Sequence, residues 1–296
     1  MPDKLPAACV DRTNHAETAD IVKRFSQSAL FQRASLLMGR AALDRIANCR
    51  VMVVGLGGVG SWCAEALVRT GFRDLTIIDS DTICVTNVNR QAQATALNVG
   101  AVKAEELRKR LLEINPDAQI TALRLAFDET TCGQFNLPGQ HYIVDAIDSL
   151  QNKILLIEQC VRGGVKCFSS MGAAARLDPT QVRTGTLDQT LMCPLARWVR
   201  RGLRKRQVPL QAVTCVYSLE PPLEPAEASH CGASACLCAA GQPAGGEEFP
   251  EWCSLKARIN GAVVHVTAVF GFTLASLIVR DAMASEESAG VGVPEK

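Results

Sequence analysis

The run Val51-Met52-Val53-Val54 leads without a polar residue into Gly55-Leu56-Gly57-Gly58-Val59-Gly60, and a helical pattern from Ser61 to Thr70 follows directly. A short β-branched apolar run bounded in this way reads as a buried strand. Glycines at a strand-to-helix junction let the backbone turn tightly and let a ligand approach the N–H groups at the helix start. Gly71 ends the helix, and Leu75 to Ile78 reads as a second strand, completing one βαβ unit.

The alternation continues along the chain. A helical pattern from about Val102 to Ile114 stops at Asn115-Pro116, strands are predicted near Gln119 to Leu125 and Tyr142 to Ala146, and Gln151 to Arg162 is a helix ended by Gly163-Gly164. This predicts an α/β fold: a Rossmann-like, doubly wound, mostly parallel sheet with helices on both faces. The segment Ala262 to Val279 is apolar and long enough for a membrane span to be the alternative. Its small residues, hydroxyls and His265, and the absence of a close basic flank, favour a helix buried in a core or dimer interface, without stable membrane insertion. Residues 218–250 change to Pro, Glu, Ala, Gly and Cys without periodicity and read as an irregular insertion. Residues 1–23 and 285–296 read as flexible tails around one domain over 24–284.

With 48% hydrophobic and 21% charged content, 296 residues can bury a sizeable core, which excludes global disorder. A net charge of +1 makes no case for a nucleic-acid or membrane partner, so any such surface must be local. The opening Met1-Pro2-Asp3-Lys4 lacks the pattern of a secretory signal, so the thirteen cysteines are expected as reduced thiols in the cytoplasm.

Gly55, Gly57, Gly58 and Gly60 stand where a phosphate would meet a helix N-terminus, and Asp79 ends the second strand where a carboxylate can accept from a ribose hydroxyl. Asp81, Asn87, Arg90, Gln91 and Lys103 follow, bringing two cations and several amides toward one end of the sheet. A nicotinamide cofactor carries only a pyrophosphate, which the helix N-terminus already meets. A triphosphate needs additional cations of this kind, so ATP is the predicted ligand. Asp148 lies just past a strand, where a carboxylate can hold magnesium against phosphates. The plainer alternative makes Arg90 and Lys103 exposed helix charges and Asp148 a helix cap.

The segments Gly55 to Ser61, Ile78-Asp79-Ser80-Asp81, Asn87 to Gln91, Lys103 and Asp145-Ala146-Ile147-Asp148 resemble the adenylating domain of the ubiquitin-activating-enzyme superfamily. Cys84 to Gln91, Leu177 to Gln181, Cys193-Pro194-Leu195-Ala196, Cys215 to Glu220 and Phe270-Gly271-Phe272 extend the likeness to its tRNA threonylcarbamoyladenosine dehydratases, over about Arg24 to Met283 with an interruption at 218–250. That resemblance implies ATP- and magnesium-dependent cyclisation of threonylcarbamoyladenosine, next to the anticodon of tRNA, to its oxazolone. Arg90, Lys103 and Asp148 would then be catalytic and Asp148 the magnesium ligand, in a homodimer, with a sulfur-relay protein as a further partner. An adenylyltransferase acting on the C-terminus of a ubiquitin-like or sulfur-carrier protein is the alternative. Relatives place an arginine where Gln27 and Leu30 stand, and Arg24 or Arg33 is the substitute candidate. Cys253 resembles the family's C-terminal cysteine but also reads as a buried structural thiol. Cys231, Cys236 and Cys238 lack the paired Cys-x-x-Cys spacing of a structural zinc site.

Arg197, Arg200, Arg201 and Arg204 fall at helical spacing on one face, and Lys205 and Arg206 extend the patch. Such a row can follow RNA phosphates or can be a solvated helix face. With the resemblance beside it, these six residues are the candidate tRNA contacts.

Overall fold

The computed structural model describes residues 27–224, 226 and 260–284. Three short helices, α1 (Gln27–Leu30), α2 (Gln32–Met38) and α3 (Arg40–Ala47), precede β1 (Arg50–Val54), α4 (Gly60–Thr70) and β2 (Asp74–Ile78). Then come α5 (Lys103–Ile114), β3 (Gln119–Leu123), β4 (Tyr142–Asp145), α6 (Leu150–Arg162) and β5 (Lys166–Ser170). β6 (Val182–Thr186), α7 (Pro194–Lys205), β7 (Thr214–Ser218) and α8 (Val264–Ala284) complete the described elements.

The strands form one seven-stranded sheet in the order β3-β2-β1-β4-β5-β7-β6. Every pairing is parallel except the last, where β6 runs antiparallel to β7. Parallel sheets need both faces covered, and the alternation within β1 shows how the two covers divide. Val51 and Val53 point into a core with Leu67, Leu107, Leu111, Phe270 and Leu274, contributed by α4, α5 and α8. Met52 and Val54 point the other way, toward Ile154, Ile157, Val199 and Leu203 of α6 and α7. The sheet is therefore doubly wound, and its order reverses between β1 and β4, the position where such folds open a ligand crevice.

Predicted boundaries shift by a few residues for local reasons. β3 ends at Leu123 because its last partner is Ile78, after which the Asp79 N–H closes onto the Leu123 carbonyl. β4 ends at Asp145, whose own side chain accepts from the Ile147 N–H and turns the chain out of the sheet. The segment weighed against a membrane span is α8. It buries Val266, Phe270, Leu274, Ala275 and Ile278 on one face. A Cβ at Gly271 would meet the Val59 carbonyl oxygen at 2.6 Å, so α8 crosses the start of α4 backbone to backbone. Beyond β7, residues 219–224 carry no regular element, and the remainder of the predicted insertion except residue 226 lies outside the described residues.

Candidate active site

The carboxyl ends of β1, β2 and β4 open onto the glycine turn. Gly55 has φ of +90°, and a Cβ there would stand 2.7 Å from the Ala146 carbonyl oxygen of the loop after β4. A Cβ at Gly60 would stand 1.8 Å from the Gly55 carbonyl oxygen, so only a bare backbone closes this turn. A Cβ at Gly57 would meet nothing within 4 Å, and no side chain caps α4, which leaves the positive end of the helix facing open space.

Asp79 ties that turn to β2. One carboxylate oxygen accepts from the Leu56 N–H at 2.7 Å and the other from the Asp81 N–H at 2.9 Å. Burial raises its pKa above the ordinary aspartate range and Asp81 adds to this, against Lys103 and the two backbone donors. Each carboxylate oxygen retains a further lone-pair site, so Asp79 can still accept from a ribose.

The segment 87–93 lies over the turn. The Trp62 indole N–H donates to the Arg90 carbonyl at 2.8 Å, the Ala92 N–H to Ser61 Oγ at 3.1 Å, and Gln93 Nε2 to the Leu56 carbonyl at 3.0 Å. A Cβ on Gly58 would approach the Arg90 side chain at 3.2 Å, which places Arg90 beside the glycine turn. Arg90 is held there by the Thr86 carbonyl and Asn89 Oδ1, while Asp148 and Cys84 act on its charge against the effect of burial. Gln91 is buried with its amide oxygen unpaired. Asn87 closes its own turn, its Oδ1 accepting from the Cys84 N–H at 3.0 Å. Ser61, Trp62 and Gln93 were missing from the sequence-derived set. Only Ser61, abutting the last glycine, carried a signal.

Lys103 is buried, with Nζ 2.8 Å from Asp81 and 4.0 Å from Asp79, so it is not an exposed helix charge. Asp81 thus serves as the lysine's partner. Asp148 is exposed on the loop between β4 and α6, and the helix cap beside it is Ser149, which makes no side-chain cap bond. Beneath that loop lies an ion pair that the residue pattern did not indicate. Lys153 Nζ is 2.6 Å from Asp145, both side chains are fully buried, and Ser169 Oγ donates to the same carboxylate oxygen at 2.6 Å.

The basic residues of α7 divide. Arg200 lies at the flank of the helix and donates to the carbonyls of Leu187 and Thr190 and to the Thr190 hydroxyl. Arg206 pairs with Glu158 of α6 at 2.5 Å. These two are committed to the body of the protein, Arg200 to the turn before α7 and Arg206 to a carboxylate of α6 that it shares with Arg162. Arg197, Arg201, Arg204 and Lys205 are exposed. Arg33 is exposed on α2, whereas Arg24, Cys253, Cys231, Cys236 and Cys238 lie outside the described residues. Among the described residues no group of three or more His, Cys, Asp or Glu side chains could hold a metal.

Comparison with known proteins gives this arrangement relatives along nearly its whole length. The tRNA threonylcarbamoyladenosine dehydratase of Escherichia coli is 36% identical over 266 residues, 88% of this chain and 96% of that protein. The dehydratase of the same name from Bacillus subtilis is 37% identical over 193 residues, 65% of this chain and 76% of that one. The crystal structure of the E. coli dehydratase in complex with ATP superposes with a TM-score of 0.75 at 33% identity, covering 90% of this chain and 99% of that one. Its complex with AMP superposes with a TM-score of 0.74 at 34% identity, covering 89% and 98%. The ThiF family model matches residues 31–285, so the glycine turn, its roof and the helices around them place this chain in the ThiF family.

Proposed function

We propose that the protein catalyses ATP-dependent dehydration of N6-threonylcarbamoyladenosine in tRNA to the cyclic oxazolone, by activating the threonine carboxylate. The observation that carries this reading is the near end-to-end likeness to a dehydratase solved with both ATP and AMP, combined with two cations at the glycine turn. A carboxylate is a poor acyl donor because oxide is its leaving group. Attack of a carboxylate oxygen on the α-phosphorus expels pyrophosphate and gives an acyl adenylate. The carbamoyl oxygen then attacks the acyl carbon, AMP departs with the former carboxylate oxygen, and an N–H proton is released, so the nucleoside loses one water overall. Holding both groups on one base makes the second step unimolecular.

Gly57, Gly58 and Gly60 seat the phosphates, Gly55 shapes the turn and Asp79 receives the ribose. Arg90, with Gln91 beside it, faces the polyphosphate, and Lys103 exchanges Asp81 for a phosphate oxygen as negative charge develops. Asp148 suits magnesium, a cation held by one or two carboxylates together with substrate phosphates: its carboxylate is exposed and acts on Arg90 across the crevice. The metal would offset phosphate charge there. Arg197, Arg201, Arg204 and Lys205 supply phosphate contacts for the tRNA. The same reading takes the enzyme as a cytoplasmic homodimer served by a sulfur-relay protein, and the exposed apolar side chains Leu36, Leu37 and Phe272 support self-association.

The test is to incubate the protein with ATP, magnesium and tRNA bearing threonylcarbamoyladenosine and to follow the nucleoside by mass spectrometry. Loss of one water is expected. An unchanged nucleoside, with ATP consumed only when a ubiquitin-like or sulfur-carrier protein is added, would establish the adenylyltransferase reading instead.

A further inference from the structure

Trp198 is 44% exposed in the middle of α7, an unusual place for the largest side chain. The helix gives it no shelter. Ala196, Val199 and Leu203 form the inward stripe, and at 100° per residue Arg197, Trp198, Arg201, Arg204 and Lys205 share a contiguous outward one. The guanidinium carbons of Arg197 and Arg201 lie 5.6 and 5.5 Å from the Trp198 ring centroid. Cation–π attraction at this range favours keeping both arginines beside the indole. Trp62 donates its indole N–H to a carbonyl of the fold, whereas Trp198 makes no such bond among the described residues.

The platform beneath is closely packed, and its start lies at the carboxyl end of the sheet. A Cβ on Gly202 would stand 2.3 Å from Ile154 Cδ1, so α7 packs closely on α6. At the other end the Gly172 N–H, two residues beyond β5, points to the Cys193 sulfur at 3.4 Å. The start of α7 is thereby fixed at the same sheet edge as the glycine turn. No acidic residue occurs between Pro194 and Lys205.

We infer that Trp198 stacks an unpaired base of the RNA substrate while Arg197 and Arg201 hold the flanking phosphates. Sequence-tolerant RNA contacts pair an aromatic or guanidinium plane, on which a splayed base stacks, with cations that follow the backbone, and this stripe holds both within one helical turn. A lipid surface fits less well, because seating the indole in acyl chains would drag its two guanidinium neighbours out of water. The inference rests on the dehydratase reading and adds to it a contact made by an aromatic ring, with no charge of its own.

The experiment measures affinity of the full-length protein for an anticodon stem-loop transcript across a potassium chloride series, with dehydration of modified tRNA assayed in parallel. Trp198→Ala is expected to weaken binding roughly tenfold at every salt concentration, leaving the slope of log affinity against log salt unchanged. Trp198→Tyr, which keeps a stacking ring, should recover most of that loss and guards against a folding defect. Arg197→Ala and Arg201→Ala should each flatten the slope by about 0.7, the value for one phosphate contact on a single strand. Equal affinity of wild type and Trp198→Ala, in a protein that dehydrates its substrate, overturns the stacking inference alone. A wild type that neither binds the transcript nor dehydrates tRNA overturns the functional reading and this inference together. Trp198-dependent binding to phosphatidylserine vesicles, with no change for RNA, assigns the stripe to a membrane surface and also overturns it.

Discussion

Two lysine–aspartate pairs stand on either side of the crevice, and their chemistry is the same while their depth is not. Lys153 and Asp145 are both fully buried at 2.6 Å, and Ser169 and the Ile147 N–H satisfy further sites on the carboxylate. Lys103 is nearly as deep, but its partner Asp81 keeps 26% of its side chain in water, and Asp79 stands 4.0 Å away as a second anion. A sealed pair cannot trade partners, because an uncompensated buried charge costs far more than the pair itself contributes. A pair with one member in water can, since solvent and a second carboxylate cushion the exchange. Lys153 thus fixes the loop that carries Ala146 and Asp148, and in the proposed reading Lys103 is the lysine that can exchange its partner for a phosphate.

The largest effect expected from this contrast is on stability. Lys153→Met leaves Asp145 charged and unpaired, and should cost about 3–5 kcal/mol in the urea-unfolding free energy. Lys153→Met with Asp145→Leu should regain much of that loss, because an apolar pair removes the orphaned charge. A single variant as stable as wild type would show that water reaches Asp145 and would end the contrast. Lys103→Ala is expected to behave in reverse, slowing single-turnover AMP formation by about 10²–10³-fold, the scale for losing one positioned electrostatic contact. Its urea midpoint should move less than that of Lys153→Met. A Lys103→Ala enzyme that folds poorly but turns over normally would make this pair structural too.

Acidity probes the open side. Burial raises the Asp79 pKa, so its carboxylate protonates at a higher pH than an ordinary aspartate. ATP affinity should therefore fall on acidification before the usual carboxylate range is reached, as the acceptor for the ribose is lost. Stability moves the other way. A carboxyl whose folded pKa exceeds its unfolded value contributes stability below the unfolded pKa and loses it as pH rises through the folded one. Calorimetric titration of ATP over a pH series, with Asp79→Asn as the flat control, checks this. An identical acid limb in the Asn variant would place the titration elsewhere.

The sheet edge was legible in the sequence because its determinants are local. Val51 to Val54, the glycines and Asp79 announce a strand, a turn and a second strand end within thirty residues, and Gly71 does adopt the left-handed conformation that stops α4. Arg90 and Lys103 could be placed on the same edge for the same reason. Lys153 could not: a lysine in a helix reads as solvated, and only the assembled sheet shows Asp145 waiting eight residues back. Arg200 matched its neighbours in spacing, but its flank faces the Leu187–Thr190 turn, a contact distant in space from the helix pattern. The edge strand β6, Val-Arg-Thr-Gly-Thr, is too polar and too short to announce itself, and exists through its pairing with β7.

The smallest effect uses thiols as reporters on the two sides. Cys167 and Cys215 border the sealed pair, with Asp145 and Lys153 acting electrostatically on both. Each thiol is held protonated, Cys167 by a hydrogen bond with Cys160 and by burial, Cys215 by burial, so neither offers the thiolate that alkylation requires. Cys84 is half-buried in the segment leading to Arg90, and its sulfur lies within electrostatic reach of that guanidinium. Iodoacetamide mapped peptide by peptide should therefore modify Cys84 in the native protein while sparing Cys167 and Cys215 until urea unfolds the sheet. ATP should slow the Cys84 reaction by a few-fold, because polyphosphate beside Arg90 both covers the segment and disfavours a thiolate. Rapid native alkylation of Cys167 would show that solvent reaches the neighbourhood of Lys153, and the two pairs would then differ in partners but not in access to water.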